Sequence, residues 1–283
     1  MTRRIITGVT GAVVLILVCF FSGTVVWPLA VTFFSFIGVE EMLRCTHVNR
    51  DLKFALPARI FSCLPMISYV FCRYIPGMDP FRCIFLFSVL FFFSELVIAV
   101  FNHNFFPTEK LYSLIALVLY VAISFTAVSQ IRYLDSGLQE GKYLYFLIFL
   151  GAWISDTFAY FAGHFFGKTK LAPHISPKKT VEGSIGGILG NILAFAGYAW
   201  MLRSVFDLNA NVFFFALLGA LFSCVGQFGD LFASGIKRHY KIKDYGSLFP
   251  GHGGVLDRFD SVLAIASFML LAYAAFGFAF LIR

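Results

Sequence analysis

The chain has 283 residues, of which 59% are hydrophobic and 13% are charged, and its mean hydropathy is +0.84. Soluble domains carry about 25% charged residues, so a soluble fold of this length is excluded, and the composition predicts an all-α polytopic membrane protein. The net charge of +7 suits a surface near anionic lipid or phosphate, and no nucleic-acid binding is expected because no soluble basic domain is present. A transmembrane β-barrel is disfavoured, because the apolar runs are continuous and do not alternate with polar residues.

About nine apolar segments are long enough, or nearly so, to cross a hydrocarbon core that takes about 20 helical residues. The third of them is interrupted by Pro65. Arg3 and Arg4 before the first segment would also suit a signal peptide, but we expect a retained helix. The approximate ranges are 5–22, 24–43, 57–75, 82–102, 111–130, 143–165, 183–203, 211–236 and 259–282.

Basic residues are distributed unevenly between the segments that join these spans. With the N-terminus in the cytoplasm, sixteen of the 22 Lys and Arg residues fall on the cytoplasmic side. This bias predicts a cytoplasmic N-terminus and an outside C-terminus. We expect the membrane to be a bacterial inner (plasma) membrane. We expect one integral-membrane domain over 1–283, with scaffold helices in 1–140 and catalytic helices and cytoplasmic loops in 141–283. The six cysteines contain no CxxC pair and are interpreted as apolar core residues.

Polar residues recur on one face of the segment 211–236. Ser223, Gln227, Asp230, Ser234 and Lys237 are spaced 4, 3, 4 and 3, which is the period of one helical face. Carboxylates at membrane depth are costly and usually functional or paired. The pattern indicates either a functional carboxylate just below the cytoplasmic surface or an ordinary stripe of hydrogen bonds between helices.

Four further acids lie within or at the ends of predicted spans. Asp156 is expected near mid-membrane, either in the site or as a structural acid between helices. Asp257 and Asp260 share a face at the start of the last helix, where Asp257 could also act as a simple N-cap. Glu95 lies in a Phe-rich segment without an obvious partner, and a structural or dimer-interface role is expected for it.

Two polar connections on the cytoplasmic side contain the residues suited to chemistry. The first, 167–182, carries Lys178 and Lys179 and is followed by glycines at 183, 186, 187 and 190 that would let helices pack closely. The second, 234–260, is dense in cations, carboxylates and glycines. Carboxylates suit Mg²⁺, and cations suit a polyphosphate and a leaving pyrophosphate. The residues therefore indicate phosphoryl or nucleotidyl transfer at the membrane face, although the lysines would also suit membrane anchoring.

Residues 234–260 follow the pattern SxxKRxxxxKDxGxxxPGHGGxxDRxD. This pattern resembles the signature of the phosphatidate cytidylyltransferases, also called CDP-diacylglycerol synthases. The stretch SDTFAYFAGHFFGKTKLAPHISPKKTVEG at 155–183 and the Gly229-Asp230 pair are similar to the same family. The resemblance covers about 155–260, and the N-terminal half matches only in being hydrophobic.

The resemblance implies transfer of CMP from CTP to phosphatidic acid, with Mg²⁺ and with room for a monovalent cation such as K⁺. It also implies a homodimer in membrane lipid. Metal ligation is expected of Asp230 and Asp257, with Asp260 in support, and these three acids and Lys237 form the predicted catalytic set. The predicted substrate-binding residues are Lys178, Lys179, Ser234, Arg238, Lys243, His252, Gly253, Gly254, Arg258 and Asp156.

The residues alone leave two other functions open. A CTP-dependent lipid kinase acting on a polyprenol or phytol would transfer the γ-phosphate and release CDP. An ion-coupled transporter could also use intramembrane acids, but it would place them along an aqueous path near mid-membrane, often within inverted repeats. Here the charge is concentrated on one side, and no repeat is visible.

Overall fold

The computed structural model describes residues 16–102, 107–134, 140–278 and 281–282. These residues are mainly helical, which confirms the all-α membrane class, and they also include one small β-hairpin. In chain order the elements are α1 (Val26–Cys45), α2 (Leu52–Phe61), α3 (Leu64–Tyr74), α4 (Pro80–Phe101), α5 (Thr108–Ile131), α6 (Glu140–Leu144), α7 (Phe146–Phe166), β1 (Lys170–Ala172), β2 (Ser176–Thr180), α8 (Val181–Phe206), α9 (Val212–His239) and α10 (Leu256–Phe276).

Within the described ranges, seven helices are long and apolar enough to cross a membrane, or eight if the bent pair α2–α3 forms one span. The predicted segment 57–75 corresponds to this pair, whose axes differ by 43°. Pro65 lies at the start of α3, where its missing N–H costs no helical hydrogen bond. The predicted first span, 5–22, falls mostly on residues outside the described part of the chain.

The last helix is displaced from its predicted range of 259–282. It begins at Leu256, so Asp257 lies in its first turn, and it ends at Phe276. Gly277 follows in the left-handed region with φ +64, and its N–H donates to the Tyr273 carbonyl at 2.8 Å. A glycine in the left-handed region commonly ends a helix, and this one explains the early end.

The chain divides into two compact units: Met1–Gln130 with Tyr240–Arg258, and Ile131–His239 with Phe259–Arg283. The sequence prediction of one integral domain, divided near residue 140, stays a prediction. The connection that follows α9 groups with the N-terminal helices in the first unit.

In the first unit, α1 packs against α2 and α3, and α4 packs against the same two helices. The Trp27 indole donates to the Ser129 carbonyl at 3.1 Å, which ties α1 to α5. Glu40 of α1 forms an ion pair with Arg59 of α2. Glu95 of α4 is fully buried, and neither carboxylate oxygen has a hydrogen-bond partner among the described residues. Its structural or dimer-interface role stays a prediction.

In the second unit, α7, α8 and α9 pack against one another. The predicted close approach of helices through glycines is confirmed at the contact of α7 with α8. A Cβ placed on Gly186 would lie 2.2 Å from the Ala162 Cβ, and one on Gly187 would lie 2.9 Å from the Ser155 carbonyl oxygen. Deeper in this unit, the Phe195 and Phe222 rings meet edge to face at 5.5 Å.

We predict that Gly186→Ala destabilises the protein by about 1–3 kcal/mol, the usual cost of overpacking a close contact. The added methyl group would overlap the Ala162 methyl group, and neither can rotate away. Gly197→Ala is the matched control, because Gly197 lies in the same helix with no atom within 4 Å of an added Cβ. Both changes gain the same helix propensity, so a difference in thermal unfolding temperature in detergent measures the packing. Equal temperatures would show that the helices separate without cost.

Candidate active site

The connection 167–182, expected to be a loop, forms a β-hairpin. Strands β1 and β2 are antiparallel, and Lys170 pairs with Thr180. Thr180 then caps α8, because its hydroxyl oxygen accepts a hydrogen bond from the Gly183 N–H at 3.1 Å. The Glu182 carboxylate accepts from the Thr169 N–H at 3.1 Å, which joins the first turn of α8 to the start of the hairpin. The hairpin therefore holds Lys178 and Lys179 directly before a capped helix.

The hairpin is bound to the end of α9 by charge. Lys179 forms an ion pair with Asp230, and each side chain is about three-quarters buried, with 25% and 26% exposed. The Ser234 hydroxyl lies 3.4 Å from the same carboxylate, one helical turn further on. The exposed Arg238 donates through Nε to the Ile175 carbonyl at 3.3 Å. Partly buried ion pairs are screened by salt less than exposed pairs are, so the attraction between Lys179 and Asp230 persists at physiological ionic strength.

A cleft of about 390 Å³ opens beside this ion pair. Charged, polar, aromatic and small apolar residues all line it. Tyr160 and His164 stack nearly parallel on its wall, with 6.1 Å between ring centroids. Its lining includes Asp156, Lys178, Lys179, Tyr160, His164 and Ser184. Asp156, predicted near mid-membrane, is therefore an exposed carboxylate of the cleft.

Asp260 of α10 belongs to the same unit. It lies within electrostatic range of Asp230, Asp156 and Lys237. The second unit thus brings together three of the predicted acids and the predicted lysines of α9 and β2. No group of three or more His, Cys, Asp or Glu side chains in the described residues has the arrangement of a preformed metal site.

The polar stripe of α9 makes hydrogen bonds and one ion pair. Ser223 shares a hydrogen bond of 2.7 Å with Ser155, and the Gln227 amide donates to the Ser223 hydroxyl at 3.0 Å and to the Ser184 carbonyl at 3.2 Å. The bonds to Ser155 and Ser184 join α9 to α7 and α8, as the structural interpretation of the stripe predicts, whereas the bond from Gln227 to Ser223 lies within α9. Asp230, one turn later, pairs with Lys179 beside the cleft, and its role as a functional carboxylate stays a prediction.

In the first unit, Asp257 organises the residues before α10. Its Oδ2 atom accepts from the Tyr245 N–H at 2.8 Å and from the Gly254 N–H at 3.0 Å. Gly253 has φ +87, and a Cβ there would lie 2.8 Å from the same oxygen. Asp257 is therefore more than a simple N-cap, because its carboxylate shapes a loop twelve residues upstream as well as the helix start.

The other predicted residues of this loop are more accessible. Lys243 and Arg258 are exposed. His252 is half-buried, and its Nδ1 atom has no hydrogen-bond partner among the described residues. The predicted sharing of one metal centre by Asp230 and Asp257 stays a prediction.

Sequence reasoning missed one residue of this loop's environment, Glu41 of α1. Its carboxylate is buried and accepts from the Val255 N–H at 2.8 Å and the Leu256 N–H at 2.9 Å. A Cβ on Gly254 would lie 2.2 Å from Glu41 Oε1. Gly254 therefore makes room for a carboxylate of the protein, whereas the sequence predicted that it makes room for a ligand. The available signal was the acidic pair at residues 40 and 41 inside an apolar segment.

Comparison with known proteins gives consistent results over nearly the whole chain. The model of the cytidylyltransferase family matches residues 2–276. The chain is 34% identical to a phosphatidate cytidylyltransferase of Bacillus subtilis over 98% of this chain and 99% of the relative. It is 43% identical to a phosphatidate cytidylyltransferase of Staphylococcus epidermidis over 52% of this chain and 53% of that relative. This chain is a member of the cytidylyltransferase family.

Proposed function

We propose that this protein transfers CMP from CTP to phosphatidic acid, forming CDP-diacylglycerol and pyrophosphate for phospholipid synthesis. A relative that is aligned over 98% of this chain carries the name of this activity. The structural observation that supports it is the cleft of the second unit, where the Lys179–Asp230 ion pair adjoins Lys178 and an aromatic wall. A site with cations, carboxylates and apolar surface suits a phosphorylated lipid and a nucleotide.

The reaction needs no strong base from the protein. An anionic phosphate oxygen of phosphatidic acid attacks the α-phosphorus of CTP. The bond from that phosphorus to the oxygen bridging the β-phosphate breaks, and pyrophosphate leaves with the bonding electron pair. Lys178, Lys179 and Lys237 offset the charge that develops on pyrophosphate, and cations held in place before the reaction do this without reorganisation.

The donor set of the second unit fits Mg²⁺. Asp230 and Asp260 supply carboxylate oxygens within electrostatic range of each other. Magnesium takes one or two carboxylates from a protein and fills its other positions with water and substrate phosphates, so a preformed cluster of three acids is not required. We propose Asp230 and Asp260 as ligands and keep Asp257 as a predicted one. When bound, the ion would neutralise negative charge on the CTP phosphates.

The protein is an integral membrane protein, and the distribution of its basic residues supports a cytoplasmic active site in a bacterial inner membrane, where CTP is available. The homodimer and the additional monovalent cation stay predictions from the resemblance.

We predict that label from [α-³²P]CTP enters lipid when the protein is incubated with phosphatidic acid and Mg²⁺. Label from [γ-³²P]CTP should leave as pyrophosphate, because the β- and γ-phosphates depart together. Thin-layer chromatography of the lipid and aqueous phases measures both. Incorporation of the γ-label into lipid would instead identify a CTP-dependent lipid kinase, and ion uptake in proteoliposomes without CTP would identify a transporter.

Replacement of the cleft lysine tests the phosphate-binding role. We predict that Lys179→Gln lowers kcat/KM about 100-fold, a typical cost of removing one preorganised charge donor. Lys170→Gln is the control, because Lys170 lies on the other strand of the same hairpin and is exposed. It should retain activity within about twofold. Equal activity of the two variants would remove Lys179 from the site.

Replacement of the carboxylate of α9 tests the metal assignment. We predict that Asp230→Asn lowers kcat at least 100-fold and raises the Mg²⁺ concentration for half-maximal rate, because one hard oxygen ligand is lost. Asp207→Asn is the control, since Asp207 follows α8 with φ 53, a conformation that Asn accepts readily. An unchanged Mg²⁺ titration for Asp230→Asn would contradict its role as a ligand.

A further inference from the structure

Glu41 lies near the end of α1 and is 3% exposed. Its two oxygens bind different backbone groups: Oε1 accepts from the Val255 N–H, and Oε2 accepts from the Leu256 N–H. The first N–H groups of a helix have no partner within the helix, and its N-terminus attracts negative charge. A buried carboxylate at this position therefore satisfies donors that would otherwise be costly to bury, through charge-assisted hydrogen bonds.

The loop before α10 is built around this carboxylate. A Cβ on Gly246 would lie 2.3 Å from Glu41 Oε1, and one on Gly254 would lie 2.2 Å from the same atom. At both glycines the three nearest atoms all belong to Glu41. Two glycines at fixed places in the signature pattern thus provide the space that this one side chain occupies.

The backbone groups that Glu41 binds directly precede Asp257 in the chain. Glu41 holds the N–H groups of residues 255 and 256, while Asp257 accepts from the N–H of Gly254 on the other side. Leu256 is also buried, and a Cβ on Gly38 of α1 would lie 3.2 Å from its side chain. Three consecutive residues before Asp257 are therefore held at their backbone, which limits the directions that Asp257 and the start of α10 can take.

We propose that Glu41 is a positioning residue for cytidylyl transfer, which holds the signature loop and the first turn of α10 in the reactive arrangement without touching substrate. This inference rests on the proposed function. Glutamine could not replace Glu41, since its amide offers one acceptor oxygen and one NH₂ donor to two N–H donors. One N–H group would be left buried against another donor, and the loop would shift.

The first test compares Glu41→Gln with Glu40→Gln. We expect Glu41→Gln to lower kcat about 100-fold with KM for CTP and phosphatidic acid changed less than threefold, because small misplacements near the reacting groups cost this much. Glu40 is adjacent in α1 and pairs with Arg59, so its variant removes a carboxylate without touching the loop. It should keep kcat within about threefold. Wild-type kcat in Glu41→Gln, or a rise in KM alone, would overturn the proposal.

A double-mutant cycle tests the same contact and covers the case in which Glu41→Gln does not fold. Gly246→Ala pushes against the carboxylate without removing it and should lower kcat about 100-fold. In Glu41→Ala the obstructing atoms are gone, so adding Gly246→Ala should lower kcat less than threefold further. If Glu41→Ala alone lowers kcat about 100-fold and the two changes act independently, the double variant would lose about 10⁴-fold in kcat. That result would overturn the proposal.

Limited trypsin digestion provides a readout that does not depend on catalysis. Lys241 and Lys243 are exposed in the loop, and we expect Glu41→Gln to speed cleavage there at least tenfold relative to Glu40→Gln. If the wild-type protein fails to transfer CMP, the proposed function fails while this comparison still judges the loop contact. If the wild-type protein is active, equal cleavage rates of Glu41→Gln and Glu40→Gln would overturn the positioning role.

Discussion

The binding of two backbone N–H groups by the buried Glu41 carboxylate is the interaction on which the loop before the last helix depends. Inside an apolar helix bundle, burying an unpaired N–H group or an isolated carboxylate costs free energy. The hydrogen bonds between them offset both costs. Asp257 repeats the arrangement with two further N–H groups of the same loop. Two of the four glycines of the signature pattern are explained by these contacts, since Gly246 and Gly254 lie where a Cβ would meet Glu41.

The second unit uses a different principle to place its charged residues. Small residues let α7 and α8 approach closely, and the hairpin between them is held by the Thr180 cap and by Glu182. Lys179 thereby reaches Asp230 on α9, so a cation and a carboxylate are fixed beside the cleft. Because the pair is mostly buried, the phosphate binding that we propose would need little rearrangement of these charges.

Much of the fold and part of the site were predictable from local pattern. Continuous apolar runs located most of the membrane helices, and the 4-3-4-3 spacing on α9 placed Asp230 on its polar face. The pattern did not separate the helix-to-helix bonds of Ser223 and Gln227 from the ion pair of Asp230, because spacing gives the face of a helix and leaves its neighbours unspecified. The hairpin at 170–180 was missed because its strands are three and five residues long and carry no alternating apolar pattern.

The sequence by itself determined the membrane class, most of the helices, the family resemblance and the chemical character of the candidate site. These depend on composition and on short-range spacing, which lipid and helical geometry convert directly into structure. Only the tertiary structure decided that Glu41 supports a loop more than two hundred residues later and that Lys179 pairs with Asp230. Such contacts arise from the packing of helices distant in sequence, and a single sequence carries no local signal that specifies which helices meet.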